Sequence, residues 1–282
     1  MSYKIEGNGI LNISKKANIG KDVVFLLSEN SEVNISEYAV IGDGVKIIVS
    51  SGIVYIGAWT TIHSSCLLIC DHEIKIGAHC WFGQNTVIDG TGGIQIGDGV
   101  RVGMYSQLWS HVAAGERIEG CTLFGAEKLV IENDVWLVGT CTVGSGVSIG
   151  KKTICLAHSN VTKSLPARVV AAGSPAKIKD GLTFYKDITL IEKWDFLVDW
   201  TEGFVELDSN IQLTSSSNSM KLMTNEGVLY VYKLYDDYNN KVLANNDSKI
   251  CLEKKCYLEI NNMIIESYIR YMSNNKARFY PE

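Results

Sequence analysis

From Leu129 to Ile178 apolar residues return at a strict interval of six, at Ile131, Leu137, Val143, Ile149, Cys155 and Val161. Helical faces repeat every 3.6 residues and sheet faces every 2, so a sustained six reports a larger unit repeating along the chain. A short-period parallel β-helix supplies such a unit. A second set of small or β-branched residues, Val135, Cys141, Val147, Thr153 and Ser159, falls two positions before each next interval, so every hexad turns two side chains inward. Gly144 and Gly150 directly follow an inward residue, where a sharp corner is expected to need a backbone without Cβ. Three flat sides of this kind close one triangular coil.

Earlier hexads begin at Ile13, Ile19 and Phe25, which leaves residues 1–12 as an expected opening strand or cap. The series continues through Ile35, Ile41 and Ile47, then Ile56, Ile62 and Leu68, then Ile76, Phe82 and Ile88, then Ile96, Val102 and Leu108. The coil starts at 56, 76 and 96 are twenty apart, so each of these coils carries a two-residue bulge at an equivalent corner. The next start is Ile131, which leaves about fifteen residues over, and residues 114–128 must leave the coil as a loop. Long loops in a regular scaffold are usually functional or disordered. After Val161 the repeat stops, and Pro166 and Pro175 mark an extended exit because proline cannot sit in a central ladder.

From about Gly181 the hexads vanish and helical spacing appears at Leu190, Ile191, Trp194, Leu197 and Val198, with Asp187 as a candidate cap. Val228–Leu234 and Lys249–Ile260 read as strands. A last helix around Ile264, Ile265, Tyr268, Ile269 and Met272 follows Asn261 and Asn262, a pair suited to capping. The chain therefore divides into a mainly β domain over 1–180 and a smaller mixed α/β C-terminal domain over 181–282.

Composition changes this picture little. A net charge of -5 argues against nucleic acid as the main partner, since phosphate neutralisation needs a basic face. Cys66, Cys80, Cys141 and Cys155 fall on inward positions and read as small buried apolar residues rather than a disulfide framework. No run approaches the ~18 apolar residues of a membrane span, and the opening MSYKIEGNGIL lacks the features of a leader, so a cytoplasmic protein is expected.

Five histidines are present: His63, His72, His79, His111 and His158. His111 lies three residues after the inward Leu108, so its side chain should point out of the coil beside the inserted loop. Imidazole, with an ordinary pKa of about 6.5, suits proton abstraction at neutral pH. The bland alternative is a surface histidine at a loop mouth. Glu116 and Glu119 follow in the loop and are candidates to orient the ring, although solvated loop charges are the plainer account of each. No pair of histidines has the spacing of a shared zinc site, and Cys66 with Cys70 lacks partners at zinc-finger spacing, so no metal is expected.

The segment VWLVGTCTVGSGVSIGKKTICLAHSNVTKSLPARVVAAGSPAKI resembles the closing segment of hexapeptide-repeat acyltransferases, with the likeness strongest over 131–177. That resemblance implies a left-handed coil, the exception to the usual right-handed crossover. It also implies an obligatory homotrimer and an acyl-CoA donor, acetyl-CoA in the sugar-modifying members, bound between subunits. By the same resemblance His111 stands where such proteins carry a catalytic histidine, and Trp136 stands where a tryptophan lines the donor groove. Gly139, Ala157 and Ser159 mark the coils that hold pantetheine, and Lys163, Arg168 and Lys177 are the tail positions for adenosine phosphates. His158 departs from the pattern. The reading is an acetyltransferase acting on a hydroxyl or amine of a sugar or nucleotide-sugar, as in surface-polysaccharide synthesis. The alternative is a non-catalytic trimeric scaffold whose C-terminal domain binds a partner. Tyr230, Tyr232, Tyr235 and Tyr238 cluster in that domain, either against sugar faces or as ordinary packing.

Overall fold

The computed structural model describes residues 3–225, 227–258, 263–273 and 275–282. Two compact units are resolved, Met1–Tyr185 and Lys186–Glu282. The first is a left-handed parallel β-helix whose strands stack into three faces. The first face runs from Lys4–Gly7 to Asn160–Val161, the second from Ile10–Ile13 to Ser148–Ile149, and the third from Asn18–Ile19 to Val170–Ala172. Lys177–Ile178 then closes the third face by pairing antiparallel with Ala171 and Ala172. The coil begins earlier than the hexads indicated. Lys4–Gly7 and Ile10–Ile13 pair with Val24–Leu27 and Glu32–Ile35, so they form the first coil rather than a separate cap.

Register keeps the inward rows aligned. Val24 lies opposite Lys46 after 22 residues, Lys46 opposite Leu67 after 21, and Leu67 opposite Val87 after 20. Val87 lies opposite Gln107 after 20, Gln107 opposite Thr142 after 35, and Thr142 opposite Asn160 after 18. Because side chains alternate with a period of two, a slip of one residue in any coil would expel its whole apolar set. The inward residues Ile131, Leu137, Val143, Ile149, Cys155 and Val161 are all buried, as are Val135, Cys141, Val147, Thr153 and Ser159. Burial pushes the Cys66 thiol up to about 11 and the Cys155 thiol up to about 12, as fits side chains used for packing.

The corners are built differently from the sequence expectation. Left-handed backbone occurs at Tyr38, Trp59, His79, Gly99, Asp134, Lys152 and Arg168 on the edge between second and third faces. It recurs at Asp22, Gly44, Ser65, Asn85, Tyr105, Thr140 and His158 on the edge between third and first faces. Gly144 has no such φ, and a Cβ there would meet nothing closer than the Val161 carbonyl at 3.7 Å, so its corner does not demand glycine. Gly150 does, through crowding: a Cβ would come within 2.4 Å of the Ala167 nitrogen one coil above. The strained corner residues are supported by stacking, with Tyr38 on Trp59 at 4.1 Å and Trp59 parallel to His79 at 6.0 Å. His79 is thereby buried in a packing column.

The extra length of the 35-residue coil is a hairpin. His111–Ala113 pairs antiparallel with Phe124–Ala126, and a short 3-10 turn at Arg117–Glu119 lies between them. The excursion therefore begins at His111, three residues before the expected loop.

The second unit holds a six-stranded mixed sheet in chain order, Gln212–Ser215, Ser219–Thr224, Gly227–Tyr232, Ser248–Cys251, Cys256–Leu258 and Tyr280–Pro281. Helix α1 (Leu190–Val205) is capped by Thr189, not Asp187: its side chain accepts the Glu192 amide while Glu192 reaches back to the Thr189 amide. Trp194, Leu197 and Phe204 are buried, whereas Ile191 is exposed. Helix α2 spans Tyr235–Asn240 and helix α3 Met263–Ser273. Thr201 and Tyr268 share a buried hydrogen bond of 2.7 Å that joins α1 to α3. The expected strand over 249–260 is two strands about a turn, and residues 259–260 and the Asn261, Asn262 pair lie outside the described residues. Two stability outcomes are expected in denaturant unfolding. Leu137→Ala, which empties a fully buried rung position, should cost ~2–5 kcal/mol; Thr189→Ala, which removes a cap, should cost ~1 kcal/mol in the second unit.

Candidate active site

The hairpin springs from a corner that is tied on both sides. Ser110 Oγ donates to the Asp89 carbonyl at 2.6 Å and accepts the Gly92 amide at 2.8 Å. The Ser110 carbonyl accepts from Ser145 Oγ and from the Glu127 amide, both at 2.9 Å, so the departing and returning strands are held to the coil above. The next residue is His111. Its Nδ1 lies 2.8 Å from Oδ1 of Asp89, whose side chain is 2% exposed against 36% for the imidazole.

A buried carboxylate is costly unless hydrogen bonds replace water. Asp89 has them: the Thr91 amide donates to Oδ1 at 3.2 Å, and Thr91 Oγ1 donates to Oδ2 at 3.3 Å. An acceptor on Nδ1 places the ring proton there, so the neutral ring carries its lone pair on Nε2. Among the described residues nothing bonds Nε2. Trp109 meets the ring edge-on at 6.1 Å and is itself fixed by donating Nε1–H to Gln107 at 3.1 Å. The group that orients His111 is therefore Asp89, not Glu116 or Glu119, which are exposed on the hairpin. Coil arithmetic could have found it, because Asp89 lies opposite Trp109 in the register of the first face.

The other sequence candidates lie elsewhere on the coil. Trp136 projects from the third face, 44% exposed, in an outward row with Arg101 below it and Ile154 above. Gly139 and Ala157 sit on successive coils at the edge between third and first faces, where the His158 amide donates to the Gly139 carbonyl at 3.1 Å. Ala157 is exposed. Ser159 is not available to a ligand: it points into the coil, 1% exposed, with its hydroxyl on the Leu156 carbonyl at 2.5 Å. The three cations do not converge. Lys163 follows the last strand of the first face, Arg168 turns the corner into the third face, and Lys177 lies on the closing strand of the third face.

These positions form two groups within one chain. His111, Asp89 and Lys163 belong to the edge between first and second faces, while Trp136, Gly139, Ala157 and Lys177 belong to the third face and its far edge. In a triangular coil an edge and the opposite face point away from each other. Among the described residues no group of three or more His, Cys, Asp or Glu is arranged to hold a metal ion, and no helix is long and apolar enough to cross a membrane.

No family model matches the chain. Sequence comparison finds acetyltransferases. The chain is 32% identical over 125 residues to a protein of Escherichia coli (strain K12) assigned as the colanic acid biosynthesis acetyltransferase WcaF, covering 44% of this chain and 66% of that one. It is 31% identical over 126 residues to the galactoside O-acetyltransferase of Lactococcus lactis, covering 45% and 52%. The chain thus spans between about half and two thirds of the length of these curated relatives. Among solved structures, the N-acyltransferase AntD of Bacillus cereus, in complex with a dTDP-sugar and coenzyme A, aligns with a TM-score of 0.44 at 17% identity over 72% of this chain and 91% of that one. The polysialic acid O-acetyltransferase OatWY aligns with a TM-score of 0.42 at 23% identity over 66% and 92%.

The Asp89 contact has a direct spectroscopic consequence. In Asp89→Asn the His111 ring should lose its preference for the proton on Nδ1, read from its ring 15N shifts; unchanged shifts would show that Asp89 does not set the tautomer.

Proposed function

We propose that this chain, whose coil has the repeat, fold and local sequence of hexapeptide-repeat acyltransferases, transfers an acetyl group from acetyl-CoA to a hydroxyl or amine of a sugar. The observation that carries the reading is the His111–Asp89 pair, a half-exposed imidazole fixed by a buried carboxylate with Nε2 open at the mouth of a hairpin. His111 Nε2 removes the proton of the acceptor as its oxygen or nitrogen attacks the thioester carbonyl carbon. The tetrahedral oxyanion, steadied by backbone amides, collapses with cleavage of the C–S bond, and the imidazolium returns the proton to the leaving CoA thiolate. Asp89 steadies the imidazolium while it lasts, as a carboxylate does in the familiar triads.

The donor side of the site is the third face. Trp136 offers an exposed indole, and the backbone around Gly139 and Ala157 offers a ribbon on which the amides of pantetheine can pair as an added strand does. Because that face points away from His111 of the same chain, a complete site takes His111 from one copy and Trp136 from the next. A head-to-tail contact of this kind closes into a ring, which supports a homotrimer. Sugar acceptors are favoured by the curated relatives, one named for galactosides and one for colanic acid.

Two experiments test this. His111→Ala should lower acetyl transfer to a sugar panel, followed by mass spectrometry, by about 10²–10⁴-fold while acetyl-CoA still binds; full turnover would remove His111 from the mechanism. Refolding His111→Ala and Trp136→Ala subunits together in equal amounts from denaturant should restore about a quarter of wild-type activity, the share of interfaces that pair an intact edge with an intact face. Complete absence of recovery would place the whole site in one subunit.

A further inference from the structure

We propose that the sheet of the C-terminal unit carries a separate binding site for an anionic saccharide, built on Tyr230, Tyr232, Lys221 and Lys241. The register assembles it. Lys221 lies directly opposite Tyr230, and Tyr230 directly opposite Lys249, so one row of a single sheet face reads lysine, tyrosine, lysine. Like charges flanking one residue across three strands are unfavourable unless something offsets them.

Carboxylates do not offset them here. Lys221 Nζ lies 5.8 Å and Lys241 Nζ 4.0 Å from the centroid of Tyr230, and among the described residues neither ammonium has an acidic partner. Lys249 is 8% exposed, and its charge rests on the carbonyls of Tyr238 and Lys241 at 2.9 and 3.2 Å and on the Tyr238 ring at 4.3 Å. Those carbonyls close the end of α2, so the buried lysine fixes the turn that presents Lys241. Acids close by are committed elsewhere. Glu282 accepts the Tyr238 hydroxyl at 2.7 Å, and Asp247 accepts the Val228 amide at 3.1 Å. Asp237 is felt at Tyr232, whose hydroxyl is raised by burial, by Tyr230 and by Asp237 in that order.

Tyr230 and Tyr232 are half-buried and nearly parallel, with centroids 6.3 Å apart and planes 8° apart. Two parallel rings result, with lysine ammoniums over the Tyr230 ring and the charge of Asp237 felt at Tyr232. A pyranose ring has an apolar face that suits the face of a tyrosine, and its hydroxyls remain free for water. A carboxylate or phosphate on that ring belongs at Tyr230, because an exposed cation–π contact is weaker than a charge-assisted hydrogen bond and the ammonium can move from one to the other. A neutral sugar would leave the lysines unanswered. This site holds a saccharide whether or not the coil acylates it.

The test is titration calorimetry on the full chain with an oligogalacturonate, a neutral maltooligosaccharide of equal length, and coenzyme A as competitor. Expected are binding of the uronate that weakens with added salt, no comparable binding of the neutral chain, and a loss of about tenfold or more in affinity for the Lys221→Gln, Lys241→Gln double variant. Absence of uronate binding, equal binding of the neutral chain, undiminished affinity in the double variant, or displacement by coenzyme A would each overturn the assignment.

Discussion

The coil depends on rung-to-rung pairing in which no strand is satisfied on its own. A two-residue strand such as Trp136–Leu137 forms only because Arg101–Val102 below and Ile154–Cys155 above supply its ladder bonds, and because Leu137 lands on the same inward row as theirs. Apolar burial and backbone bonding thus impose the same period, and neither tolerates a slip. Coil length can vary from 22 to 18 residues because the difference falls at the edge between first and second faces, where stacked strands lengthen or shorten together.

That same rule decides where chemistry can sit. An inward side chain on a face is repeated, in kind, by its neighbours above and below, whereas a corner that throws out a hairpin breaks the repetition. His111 occupies such a break, and Asp89 reaches it from the coil beneath because the first face sets Asp89 under Trp109. Trp136 and Gly139 lie on the opposite side of the triangle. Within one chain, the edge that carries His111 and the face that carries Trp136 therefore never meet.

Periodicity made much of this legible. The inward rows, the two-residue bulges, the length of the insertion and the burial of Cys66, Cys80, Cys141 and Cys155 follow from spacing alone. Contacts between coils show only once the coils are stacked in register. Nothing local marks Asp89 as the partner of His111, since 22 residues separate them and Glu116 and Glu119 are nearer in the chain. Ser159 looked like a ligand position because its segment matched a motif, yet its place in the inward series already assigned its side chain to the interior. The first coil shows no apolar row, because Lys4–Gly7 is exposed along its length, and Thr189 does not stand out as the cap because Asp187 is an equally good residue type.

Both feet of the hairpin are held to the coil at one place, where the Ser110 carbonyl takes bonds from Ser145 and from Glu127. Everything between Val112 and Ala126 is therefore mechanically insulated from the stack: it can grow, shrink or change composition while the rungs on either side keep their alignment. A chain built this way can change the surface beside His111 by rewriting one short excursion, and its framework has no need to evolve along with it.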